Sequence, residues 1–103
     1  MQNDFELLPP WTSVGKYGHN LVNELLSELH PDHQLWGCRF TPLAQSGDDV
    51  LFRAVNDKEF FAVVHLTWSS ATEFGAFPTA TMYESIDKWK SQMIQDNIDY
   101  ECN

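Results

Sequence analysis

Histidines and acidic residues are the side chains of this sequence that could bind a metal or transfer a proton. The stretch His30-Pro-Asp32-His33 combines two imidazoles with a carboxylate, and zinc and iron accept both as ligands. No H-E-x-x-H or paired C-x-x-C spacing accompanies it. The stretch also falls at a predicted helix end, where the helix dipole favours histidine in any case. We therefore predict no metal site and no cofactor.

A second group of residues could take part in acid–base chemistry or in binding. His65 lies in a strand-like run beside Thr67, either as a general acid–base or as a buried, hydrogen-bonded structural histidine. Asp48 and Asp49 follow Gly47, where they could form a general base or a cation site, but aspartate is also a preferred turn residue. For His65 the sequence favours the structural role, and for the two aspartates it favours the turn.

Two amphipathic helices are predicted to flank these residues. Leucine and valine recur at helical spacing up to residue 29, which predicts a helix over 16–29 with Glu24 and Glu28 on its solvated side. Thr81-Met-Tyr-Glu84 has the S/T-x-x-E pattern of a capping box, and apolar residues follow it at steps of three and four. This pattern predicts a second helix over 82–98.

Between the helices the hydrophobic period changes to two, which is typical of strands. We predict strands at Leu35–Ala44, Asp49–Val55 and Phe60–Ser69. Turns at 45–48 and 56–59 separate them, and a loop at 70–80 follows the third strand. Short turns between consecutive strands indicate an antiparallel meander. The sequence therefore predicts an α+β fold, a three-stranded antiparallel meander packed with two helices in the order α-β-β-β-α. It forms a single domain over 1–103 with an extended arm over 1–12.

The two faces of this sheet differ in composition. One is an ordinary core face, with Trp36, Cys38, Phe40, Val50, Phe52, Ala54, Val64, Leu66 and Trp68. The other mixes apolar and polar side chains, with Arg39, Thr41, Leu51, Arg53, Val55, Phe61, Val63, His65 and Thr67. The second face is too apolar for water, so the arm, the second helix or another chain should cover it, and cover from within the chain is favoured. The candidate ligand or interface residues are His65, Thr67, Trp68, Arg39, Arg53, Asp48 and Asp49.

The net charge of −9, from six basic and fifteen acidic residues, restricts the possible partners. Nucleic acid and anionic membranes would be repelled, whereas a basic protein would be attracted, although acidity also serves solubility alone. No apolar run reaches the roughly 20 residues of a membrane span, and the first residues lack the features of a signal peptide. Cys38 and Cys102 are expected to remain reduced, and we predict a cytoplasmic protein.

Two strand segments resemble those of a group of small bacterial proteins of unknown function. They are Asp48-Asp49-Val-Leu-Phe52 and Ala62-Val-Val-His65-Leu-Thr-Trp68-Ser69, similar to the D-D-V-L-F and V-V-H-L-T-W-S strands of that group. The resemblance covers roughly residues 20–95 and implies a bacterial, cytoplasmic setting without any activity or cofactor. Size, acidity and architecture are also similar to those of bacterial immunity proteins that neutralise toxins.

The leading hypothesis from the sequence is a non-enzymatic interaction protein that binds a basic protein partner. An immunity-type inhibitor of a bacterial toxin is one alternative. A small enzyme or ligand-binding protein with a site around His65 is another, and a homodimer that pairs through its sheets or second helices is a third.

Overall fold

The computed structural model describes residues 6–73 and 77–102. Two helices and an antiparallel sheet follow in the order α-β-β-β-β-α, so the predicted α+β class is confirmed. After a 3₁₀ turn over Gly15–Tyr17, the elements are α1 (Gly18–Glu28), β1 (Arg39–Ser46), β2 (Asp49–Val55), β3 (Glu59–His65), β4 (Thr79–Tyr83) and α2 (Ile86–Glu101). No helix in these described ranges is long and apolar enough to cross a membrane.

The four strands form one sheet in chain order, β1-β2-β3-β4. Gly47 has φ 59, a left-handed conformation that glycine adopts without steric cost and that allows the tight turn from β1 to β2. Residues directly opposite each other share a face of the sheet. The register therefore places Asp49, His65 and Thr79 in one row across β2, β3 and β4.

The prediction of three strands was wrong, because Thr79–Tyr83 forms the fourth. This segment pairs with β3 along its whole length, so Thr81 lies in a strand and the predicted capping box does not form. The hydroxyl of Ser85 caps α2 instead and accepts a hydrogen bond from the backbone N–H of Lys88 at 3.3 Å. The second helix accordingly covers Ile86–Glu101 rather than 82–98.

Two predicted strands are shorter than the sequence pattern indicates. The first begins at Arg39 rather than Leu35, because the preceding residues form consecutive turns, and Trp36 is half exposed instead of lying on the core face. The third ends at His65 rather than Ser69. Trp68 then adopts φ 61, which takes the backbone out of the strand and leaves its side chain 45% exposed.

Helix α1 covers one face of the sheet. Its leucines pack on the inward side chains of the strands, in a cluster of Leu21, Leu25, Leu29, Leu35, Val50, Phe52, Ala62, Val64 and Leu66. These side chains agree with much of the predicted core face. The leucines at helical spacing therefore form the buried side of α1, as the sequence predicts.

Helix α2 and the N-terminal arm cover the other face, as the apolar character of that face indicates. Their cluster comprises Trp11, Ala44, Leu51, Phe61, Trp89 and Met93. The arm is fixed to the sheet edge by two backbone hydrogen bonds of 2.9 Å between Thr12 and Gln45. Its residues 1–5 lie outside the described part of the chain.

Candidate functional site

The face covered by α2 becomes polar at one end of the sheet. Leu51 and Val63 lie under the helix and the arm, and the next row of the same face carries Asp49 and His65. The Oδ1 atom of Asp49 lies 2.9 Å from Nδ1 of His65, and both side chains are about half exposed, at 47% and 57%. The prediction of a buried structural histidine is therefore wrong, because His65 is accessible and is oriented by a carboxylate.

A cavity of about 240 Å³ opens beside this pair, between β4 and the middle of α2. We call it the β4–α2 cavity. Its lining combines aromatic side chains with carboxylates and includes Trp11, Asp49, His65, Tyr83, Trp89 and Asp96. The rings of Trp11 and Trp89 meet edge to face with centroids 5.4 Å apart, so this part of the lining is rigidly packed.

Asp96 is held in place from two sides. Its Oδ2 atom accepts a hydrogen bond from the indole N–H of Trp11 at 3.0 Å, and its Oδ1 atom accepts one from the side-chain amide of Gln92 at 2.9 Å. Both donors are neutral, so they orient the carboxylate without cancelling its charge. An ionised carboxylate has about four lone-pair positions, and Asp96 therefore keeps capacity for further donors.

A second cavity of about 330 Å³ adjoins the first and shares Trp11, Asp49 and Asp96 with it. Asp99 and the half-exposed Tyr100 add to its lining. Across the described residues, no lysine or arginine lines either cavity. We call four carboxylates at this end of the sheet the acidic end, namely Asp48 and Asp49 around the start of β2 and Asp96 and Asp99 in the second half of α2.

The predicted site residues Arg39 and Arg53 do not belong to this site. Arg39 pairs with Val55 at the opposite end of the sheet. Arg53 lies four residues along β2 from Asp49, about 13 Å away, and its guanidinium forms an ion pair with Glu59. The basic residues of the sheet are thus separated from the acidic end.

The remaining predicted residues, Thr67 and Trp68, lie in the segment after β3. The indole N–H of Trp68 donates to Oδ1 of Asp48 at 2.9 Å, so Asp48 holds a neighbouring loop as well as forming a turn. The backbone N–H groups of Thr67 and Trp68 both donate to Glu28, at 2.9 and 3.0 Å. This carboxylate fixes the path of the chain beside the acidic end.

Glu28 is fully buried, and its predicted solvent exposure was wrong. Burial, and secondly a hydrogen bond with Glu24, raise the pKa of Glu28, whereas the same bond lowers the pKa of Glu24. The two carboxyls are one helical turn apart and hold the loop together, since Glu24 accepts from the backbone and the hydroxyl of Ser70. The spacing of Leu21, Leu25 and Glu28 is that of an apolar stripe, and this was the signal for burial.

The stretch around His30 and His33 has a structural role. His33 is buried, its Nδ1 atom accepts from the backbone N–H of Leu35 at 3.1 Å, and its Nε2 atom therefore donates to the carbonyl oxygen of Pro78 at 2.8 Å. Among residues 6–73 and 77–102, no three histidine, cysteine or acidic side chains form a group that could hold a metal ion. Cys38 and Cys102 are separate free thiols.

The pKa of Tyr83 depends in part on the negative charge in the β4–α2 cavity. Burial, and secondly the charge of Asp96, raise the pKa of its phenol. We expect Asp96→Asn to lower the pKa of Tyr83 while leaving it above the ordinary value of about 10, because burial persists. The measurement is a tyrosinate absorbance titration, with Tyr83→Phe to identify the signal and Asp57→Asn as the charge-matched control. A pKa that Asp96→Asn leaves unchanged would contradict the assignment.

No known protein family, curated protein or solved structure matches this chain. The resemblance to small bacterial proteins accordingly stays a prediction.

Proposed function

We propose that this protein is a non-enzymatic binding protein that associates with a basic protein through its acidic end. The observation that carries this proposal is the pair of adjoining cavities, which are lined by Asp49, Asp96 and Asp99 and by no lysine or arginine of the described chain. Asp96 accepts hydrogen bonds from an indole and a side-chain amide, and Asp49 is paired with a histidine. An ionised carboxylate has about four lone-pair positions, so Asp49 and Asp96 keep capacity for the donors of a partner.

The distribution of charge supports a docking role. The basic residues on α2 lie in its first half, where Lys88 pairs with Glu84 and Lys90 with Asp87. The second half of the helix carries Asp96, Asp99 and Glu101 and no basic residue, and Asp96 and Asp99 line the second cavity. A basic protein approaching this molecule of net charge −9 would be steered to that end, and salt would weaken the attraction.

Aromatic residues beside the acidic end favour a protein over a simple ion as the partner. Tyr100 and Trp68 are each about half exposed, and Trp68 is anchored through its indole N–H to Asp48. Tyrosine and tryptophan are enriched at the centres of protein interfaces, where they contribute large apolar area with little loss of side-chain entropy. An immunity-type inhibitor is the form of this proposal in which the basic partner is a toxin.

A small enzyme or ligand-binding protein around His65 is the second candidate. The observation that favours it is the pair formed by Asp49 and His65 at the mouth of a cavity. A carboxylate that orients an imidazole is a recurring part of general acid–base catalysis. A stoichiometric complex that outlasts purification favours binding, and turnover that His65→Gln abolishes favours the enzyme.

The test compares two double variants with the same change of net charge. Asp49→Asn with Asp99→Asn neutralises two exposed carboxylates of the acidic end, and Asp57→Asn with Glu84→Gln neutralises two exposed carboxylates elsewhere. We expect affinity capture from the native host to recover a basic protein with the wild type and with the second variant. Reconstituted binding should be at least about tenfold weaker for the first variant, or about 1.4 kcal/mol.

Salt dependence provides the second measurement in the same experiment. The affinity of the wild type should fall as ionic strength rises, and the Asp49→Asn, Asp99→Asn variant should show a shallower dependence. Equal losses in the two double variants would mean that net charge alone acts, which contradicts docking at the acidic end. A protein that recovers no partner at low salt would also overturn the proposal.

A further inference from the structure

The β4–α2 cavity has the size of a site for one side chain. Its volume of about 240 Å³ lies below the roughly 300–1,000 Å³ of pockets that hold drug-sized ligands. By itself the cavity is therefore smaller than a typical site for a nucleotide or a large cofactor. A single long side chain inserted from a docked protein fits it.

The two carboxylates of the cavity are oriented before any ligand arrives. Asp96 is held by Trp11 and Gln92, and Asp49 is held by His65. Each of these bonds is between 2.9 and 3.0 Å, and each carboxylate keeps lone pairs for additional donors. A cationic group that binds here does not have to immobilise flexible acidic side chains, which lowers the entropic cost of binding.

Aromatic side chains form part of the lining next to Asp96, namely Trp11, Tyr83 and Trp89. Trp11 and Trp89 are almost fully buried, so Tyr83 is the partly exposed ring of the three. A cation over an exposed aromatic ring is attracted by its quadrupole, and a guanidinium also stacks on the ring and donates several N–H bonds in one plane. An ammonium group is more strongly hydrated and lacks this planar arrangement.

We propose that the β4–α2 cavity binds the guanidinium of an arginine side chain, with Asp96 and Asp49 accepting its hydrogen bonds. The inference rests on the proposed function, because the arginine belongs to the basic partner. It goes further by identifying the residue type that the partner must present. The adjoining cavity beside Asp99 and Tyr100 then faces the partner's surface around that arginine.

The test uses small probes and the full chain at constant ionic strength. Nα-acetyl-arginine methylamide is titrated while NMR follows the indole N–H signals of Trp11 and Trp68. We expect a saturable shift at Trp11 with a dissociation constant on the order of 1–10 mM, and a smaller shift at Trp68. The citrulline analogue, which has the same shape without the charge, should bind at least about tenfold more weakly. The lysine analogue should bind at least about threefold more weakly.

Variants then locate the binding site of the probe. Asp96→Asn and Asp49→Asn should each weaken arginine binding about tenfold, and Asp57→Asn should leave it within about twofold of the wild type. Asp49→Asn leaves the hydrogen bond between Trp11 and Asp96 in place, so it remains informative if Asp96→Asn disturbs the fold. Binding that both variants leave intact would place the arginine elsewhere and overturn the inference.

The experiments can refute the arginine site without refuting the proposed function. If no saturable shift occurs up to about 50 mM, or if citrulline or lysine binds as well as arginine, the arginine site is wrong. Association with the basic protein can still depend on Asp49 and Asp99 in that case. Conversely, the arginine probe could bind in the cavity while variants of the acidic end leave the affinity for the basic partner unchanged. That result would support the arginine site and refute docking of the partner at the acidic end.

Discussion

Replacing Glu28 with alanine is expected to remove about 3 kcal/mol of the free energy of unfolding. The carboxylate is fully buried and accepts the backbone N–H groups of Thr67 and Trp68. Without it, both donors lose their partner while Trp68 still has to hold φ 61, a conformation that costs energy in a residue other than glycine. Chemical denaturation measures the loss.

Glu24→Ala is the matched control for this prediction. Glu24 lies one turn earlier on α1 and also bonds the loop, through the backbone and hydroxyl of Ser70, but it is less buried. We expect its replacement to cost about 1 kcal/mol. Glu28→Gln should lie between the two variants, because an amide has one oxygen to offer two N–H donors. A loss below about 1 kcal/mol for Glu28→Ala would show that the buried carboxylate does not hold the loop.

The pH dependence of Glu28 provides a further check. Its pKa in the folded state is raised, mainly by burial, so the unfolded chain releases this proton at lower pH than the folded one. The free energy of unfolding contributed by Glu28 is therefore greatest below the ordinary glutamate pKa and declines as pH rises through the folded value. The stability difference between wild type and Glu28→Gln should shrink over that window. Glu24, whose pKa is lowered, acts in the opposite direction.

The hydrophobic pattern was sufficient to predict most of the sheet. The runs of apolar, β-branched and aromatic residues in β2 and β3 are a local signal. The short turns around Gly47 and after Val55 determine the antiparallel order of the strands. The need for cover over the second face was also visible, because an apolar face with no cover is unfavourable in water. Trp11 and α2 supply that cover.

Two of the errors have a common physical cause, since each involves a segment whose structure depends on distant partners. Thr79–Tyr83 is a strand because the edge of β3 is available to it, and its local pattern resembles a helix start equally well. Trp68 leaves the predicted strand because Glu28, 40 residues earlier in the chain, binds its backbone N–H. Such pairings are long-range tertiary contacts, which the local hydrophobic periodicity does not predict.

The candidate site was predicted in part. Asp48, Asp49, His65 and Trp68 do come together at one end of the sheet, because the register of β2 and β3 aligns their strand ends. Asp96 was not predicted to belong there. It lies on a polar part of α2, and only the direction in which that helix crosses the sheet brings it to Trp11, 85 residues earlier in the sequence.

Replacing Trp89 with alanine is expected to lower the free energy of unfolding by about 4 kcal/mol, a larger loss than that of Glu28→Ala. The side chain of Trp89 is fully buried between α2 and the sheet and packs edge to face against Trp11, which in turn binds Asp96. Its removal leaves a cavity that the rigid sheet cannot collapse to fill. The arm, α2 and the acidic end should loosen together, whereas the cluster under α1 should stay packed.

Chemical denaturation and amide hydrogen exchange measure these effects for Trp89→Ala. Exchange should accelerate in α2 and at Thr12 well before it does in α1, because only the former elements pack against Trp89. Ile94→Ala is the matched control on the same helix, since Ile94 is 50% exposed and its loss should change stability by less than about 0.5 kcal/mol. Uniform acceleration in both helices would show that the two faces of the sheet unfold as one unit, and the acidic end could then not be altered without unfolding the whole protein.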